Sequence, residues 1–170
     1  MFSLNEKVIY PGHGVARVNR IIKKQVGGCN TTFYELVILS NKSTVLIPID
    51  RLTESGIRSI SIKRIDDLFK VLAKPFRKKL SEIPTANWTK KSKFYLGGLR
   101  TGNLEAVCNI YKDLMYNATH KDLSYSEKNL LQKTENLLVE EIIVATGMSD
   151  GQARERLRMT AKKAVITMPI

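Results

Sequence analysis

The chain has 170 residues, of which 28 are Lys or Arg and 16 are Asp or Glu, for a formal net charge of +12 with both His neutral. With 43% hydrophobic and 26% charged residues it has the composition of a folded chain of one domain or two small ones, which excludes a disordered tail. The longest apolar runs, such as residues 45–49, fall far short of the roughly 18 residues that cross a bilayer, and no export-type leader opens the sequence, so a cytoplasmic protein with no membrane partner is expected.

The first half reads as β structure. Residues 6–10 lead into the turn-forming Pro11-Gly12-His13-Gly14, and residues 15–23 resume an imperfect alternation. A polar stretch around Gly27-Gly28 reads as a connection. Residues 32–39 are rich in β-branched and aromatic side chains, Asn41-Lys42-Ser43 reads as a hairpin loop, and the strand from Thr44 ends at Pro48, where proline removes a ladder donor. Four or five short strands in under 60 residues predict a small antiparallel sheet or barrel, a binding platform.

The period then becomes helical. Apolar positions 62, 65, 68, 69 and 72 share a stripe, and Pro75 closes that helix. Asn87 can cap a second helix running through Tyr95, Leu96 and Leu99 to Gly102, and Asn103 can cap a third carrying Leu104, Val107, Cys108, Tyr111, Leu114 and Met115. Ser124 with Glu127 has capping-box spacing for a fourth ending at Gly147, and Ser149 with Gln152 repeats it for a fifth holding Ala153, Leu157, Ala161 and Ala164. The fold class is therefore α+β, a β barrel module at 1–58 followed by a five-helix bundle at 59–170.

Catalytic and metal chemistry are poorly supported. His13 and His120 are the two histidines, each far in sequence from Cys29 and Cys108, and no Cys or His falls at zinc spacing. Gly97-Gly98 sits inside a helical stretch and matches neither a phosphate loop nor a dinucleotide fingerprint. The pairs Asp66-Asp67 and Glu140-Glu141 are adjacent on helices and point about 100° apart, so two-carboxylate catalysis is not implied. A non-enzyme without cofactor or metal is expected.

Charge is unevenly placed. Residues 1–58 carry +4, residues 59–69 and 101–170 are neutral, and residues 70–100 carry +8, with Glu82 the one acid there. Such a block either attracts polyanions, nucleic acid first among them, or is a solvated linker kept basic for solubility. Inside it, Asn87-Trp88-Thr89-Lys90-Lys91-Ser92-Lys93 places the one tryptophan of the chain at a helix start, before three lysines. Two readings stand here. Positions 88, 92, 95, 96 and 99 share a stripe, so Trp88 can anchor the helix in the core. Composition favours that anchor; the other reading is that the indole serves as a wedge or stacking surface while lysines and helix N-terminal amides hold phosphates.

In order and spacing, Tyr10-Pro11-Gly12-His13-Gly14, Val45-Leu46-Ile47-Pro48, Asn87-Trp88-Thr89-Lys90-Lys91, Asp113-Leu114 and Leu123-Ser124-Tyr125-Ser126-Glu127-Lys128 resemble the CarD (CdnL-type) family of bacterial transcription regulators. The resemblance covers nearly the whole chain. It implies a Tudor-like N-terminal domain that docks on the RNA polymerase β subunit, and a helical domain that binds promoter DNA in the minor groove at the upstream edge of the bubble, stabilising the open complex. By position, the inserting role falls on Trp88, and the DNA-facing basic residues correspond to Lys90, Lys91, Lys93, Lys128 and Lys133. Polymerase contacts are implied around Lys24, Val45, Leu46 and Ile47. Some members carry Arg where this chain has Leu46, which removes an ionic contact there. A monomer is expected. The rival reading is a basic RNA- or ribosome-associated adaptor whose barrel binds nucleic acid, and the placement of charge in 70–100 rather than in the β module distinguishes the two.

Overall fold

The structure, a computed structural model, describes residues 1–76 and 87–166. Arg77, Lys78, Lys79, Glu82, Pro84, Thr85 and Ala86 of the basic stretch lie outside the described residues. The chain divides into two compact units, Met1–Ile60 and Ser61–Ile170.

The first unit is an antiparallel sheet of β1 (Lys7–Tyr10), β2 (Gly14–Val26), β3 (Cys29–Ile38), β4 (Thr44–Pro48) and β5 (Arg58–Ser59), in the order β4-β3-β2-β1-β5. A 3-10 turn over Ile49–Arg51 and a one-turn helix, α1 (Leu52–Ser55), follow β4. Alternation buries Val8, Ala16, Val18, Tyr34, Leu36, Ile38 and Ile47 on one face, which is the core of the unit. The β2–β3 hairpin is longer than the sequence pattern suggests. Val26 pairs with Cys29 directly across Gly27 and Gly28, at φ 58° and 84°, the two left-handed positions of a two-residue hairpin turn. Residues 23–32 therefore form a paired arm rather than a loop, and most of the arm is exposed. The register slips between Val18 and Arg20. Beside the slip, Asn19 and Arg20 both bond the Glu35 carboxylate, and the Arg20 hydrogen bond, followed by that of Asn19, holds it below the usual range.

The second unit holds five helices among the described residues: α2 (Ile62–Ala73), α3 (Trp88–Thr101), α4 (Leu104–His120), α5 (Tyr125–Thr146) and α6 (Asp150–Ile166). Their ends follow from local chemistry. Asn87 Oδ1 accepts from the Thr89 amide, Asn103 Oδ1 from that of Ala106, and Ser124 with Glu127 forms a reciprocal capping box. Gly102 and Gly147 close α3 and α5 in the left-handed conformation. Two apolar clusters result. Ile65, Leu68, Leu72, Cys108, Tyr111, Leu138, Ile142, Ala153 and Leu157 join α2, α4, α5 and α6. Tyr95, Leu99, Ile110, Leu114 and Leu130 join α3 to α4 and α5. Cys108 is inside the first cluster, where burial pushes its thiol up to about 12, while Cys29 is exposed.

Candidate nucleic-acid interface

The site begins with the Asn87 cap. It fixes the first turn of α3, so that Trp88 is the first helical residue, and the ring packs partly buried against the Tyr95–Leu99–Leu130 cluster. Anchor and exposed surface are thus combined in one side chain. The first turn of α3 contains no acid, whereas α4, α5 and α6 open with Glu105, Glu127 and Asp150; α2 also lacks one. A helix start is the positive end of the dipole, and lysines there oppose it unless an anion is supplied.

The lysines divide by direction. Lys90 and Lys93 are exposed and lie about 200° and 140° around the helix from Trp88, on its outer side. Lys91 turns inward. Its side chain is only 17% exposed, its ammonium sits 3.8 Å from Asp113 Oδ2, and it lies 5.5 Å from the centroid of the Tyr95 ring. The Tyr95 hydroxyl donates to the same Asp113 oxygen, and Asn117 Nδ2 approaches it at 3.5 Å. Burial, then the hydrogen bond and charge of Asp113, push the Tyr95 hydroxyl well above the usual phenol range. Lys128 and Lys133 are both exposed on α5, but five residues separate them by about 140°. Lys133 falls three residues after Leu130 and four before Leu137, flanking the stripe that packs in the Trp88 cluster; Lys128 projects elsewhere.

The β unit presents a different kind of surface. Val45 and Ile47 pair with Leu36 and Tyr34, and their side chains pack in or against the core. Leu46 pairs with Glu35 on the opposite face. Because Ile38 N–H bonds Ser43 O, hydrogen-bonded pairs recur at Val45 and Ile47, so the backbone of Thr44 and Leu46 points away from β3 along a sheet edge. Lys24 is exposed on the hairpin arm, two residues beyond Ile22, whose partner Phe33 ends the β4 pairing. Among the described residues no cluster of three His, Cys, Asp or Glu is placed to hold a metal, and no helix is long and apolar enough to cross a membrane.

Comparison with known families matches residues 67–158 to "CarD, C-terminal domain", more than half of the chain. The chain belongs to the CarD family. A second match, "CarD-like/TRCF RID domain", covers residues 2–61, the β unit and its end. Among curated proteins this CarD-family chain is similar to "Putative transcription factor YdeB" of Bacillus subtilis (strain 168), with 24% identity over 155 residues, 91% of this chain and 98% of that protein. These matches support a CarD-like transcription regulator built from a Tudor-like β domain and a helical domain.

Sequence reasoning missed the Asp113 network. Its signal is an i,i+4 polar pair, Asp113 and Asn117, in an apolar helix.

Proposed function

We propose that this CarD-family chain joins RNA polymerase to promoter DNA without catalysis. The β unit docks on the β subunit, and the helical unit holds the upstream edge of the bubble, where Trp88 acts as a wedge in the minor groove. The observation that carries this reading is the start of α3: a partly exposed indole at an acid-free helix N-terminus, flanked by the exposed Lys90 and Lys93. The indole and these lysines lie on different sides of the helix, so DNA touching both crosses its N-terminal end. Lysines and helix amides grip phosphates without reading bases, so selectivity is for the shape of the fork. Lys133 adds charge beside the Trp88 cluster, and Lys91 acts from within the fold.

Docking on the β subunit is assigned to the edge of β4. An open edge accepts a partner strand through main-chain bonds at Thr44 and Leu46, with no need for an ionic contact at Leu46. Lys24, on the exposed arm, supplies charge to the same partner. Leu46→Pro tests this, because it deletes an outward N–H while leaving the β3 ladder intact. Immobilised β subunit should retain Trp88→Ala like the parent chain and lose a folded Leu46→Pro. Equal retention of a folded Leu46→Pro would refute edge docking.

A further inference from the structure

The exposed lysines and the indole leave one feature without a task, a carboxylate in the apolar seam between α3 and α4. Asp113 is 1% exposed. Its Oδ2 gathers the Tyr95 hydroxyl, the Lys91 ammonium and the Asn117 amide, while Oδ1 has no hydrogen-bond partner among the described residues. A buried acid satisfied on one oxygen is a poor source of stability, since an apolar residue of similar shape would avoid its desolvation. What it supplies is direction.

Lys91 and Tyr95 follow Trp88 by three and seven residues, so all three share one side of α3, on successive turns. Farther along α3, Leu99 is buried and Leu96 packs against the same cluster as Trp88. Tyr95 and Leu99 are the buried residues of α3, and Gly97-Gly98 contributes no side chain. Lys91 and Tyr95 on one helix, and Asp113 and Asn117 on the other, each stand four residues apart, so the network ties two turns of α3 to two turns of α4. Without it, among the described residues, the first turn of α3 is held by the Asn87 cap and the Trp88 ring.

We propose, resting on the reading of Trp88 given above, that Asp113 is a positioning residue for the wedge: by drawing Lys91 and Tyr95 onto α4 it fixes the direction in which the indole leaves the helical unit. Lys91 then serves the interface through Asp113 rather than through phosphate.

The full chain contains one tryptophan, so its fluorescence reports this orientation directly. Asp113→Asn keeps the shape and an acceptor for Tyr95 but removes the charge that holds Lys91. The folded variant should show red-shifted emission and stronger acrylamide quenching. Its preference for forked over fully paired DNA should fall about tenfold, the effect of one lost stacking aromatic. Lys91→Met, which keeps the aliphatic stem, should move the emission the same way and decides the matter if Asp113→Asn does not fold. In a Trp88→Ala background, Asp113→Asn should cost no further fork preference. Unchanged emission and quenching in a folded variant, or an additive loss in the double variant, would overturn the assignment. Wild-type fork preference in Trp88→Ala alone would instead overturn the wedge, leaving the emission of Asp113→Asn to judge positioning by itself.

Discussion

At the start of α3, three lysines share a helix turn and a charge, yet only Lys90 and Lys93 face solvent, while Lys91 is drawn to Asp113. A phosphate contact releases counterions, and each one lost flattens the dependence of log affinity on log salt by about 0.9. Lys90→Ala and Lys93→Ala should each reduce the slope by that amount on DNA duplex, whereas Lys91→Met should leave it nearly unchanged. Titration of binding between about 50 and 200 mM salt measures this directly. The single-sign charge block that suggests an anionic partner was legible in the sequence, because nine of the chain's basic residues face one acid across residues 70–100. Which lysine turns inward was not, because its partner lies 22 residues away on another helix.

At the scale of elements, the helix starts were legible because caps are local: Asn87, Asn103 and Ser124 each bond within three residues. The length of the β2–β3 arm was not. Its outer half covers no core, so residues 23–30 show no buried alternation, and only the two glycines mark the reversal. The two-residue β5 is too short to carry a pattern. Within α3, neighbouring glycines should behave oppositely. Among the described residues a Cβ at Gly97 meets nothing within 4 Å, so Gly97→Ala should gain roughly 0.5–1 kcal/mol from helix propensity. A Cβ at Gly98 would fall 2.6 Å from Ile110 Cδ1, so Gly98→Ala must displace that side chain and should lose about 1–3 kcal/mol to overpacking. Chemical denaturation of the two variants, compared at constant m-value, separates them.

Across the whole molecule, ionised carboxylates hold elements together. Burial pushes Glu135 up, but hydrogen bonds from Arg158, Arg154 and Tyr111 outweigh it, and the net shift is downward. Burial likewise raises Glu127, and Lys121 and Ser124 reverse it. A carboxyl lowered in the folded state stabilises fully above its unfolded value, about 4.3, and ceases to do so as pH falls through the folded one. The melting temperature should therefore decline as pH drops from about 5 toward 3. Glu135→Gln should cost about 1–3 kcal/mol at neutral pH and flatten that decline, because α6 loses its charged attachment to α5. Thermal melts of both chains across pH 3 to pH 7 read the difference.

The lifetime of the open promoter complex, followed by competitor challenge with the full chain bound to polymerase, addresses the wedge most directly. A stacked aromatic contributes on the order of 1–3 kcal/mol, and each 1.4 kcal/mol is tenfold in a rate. Trp88→Ala, folded and still retained by polymerase, should therefore shorten the lifetime roughly tenfold. A lifetime equal to that with the parent chain would contradict the account.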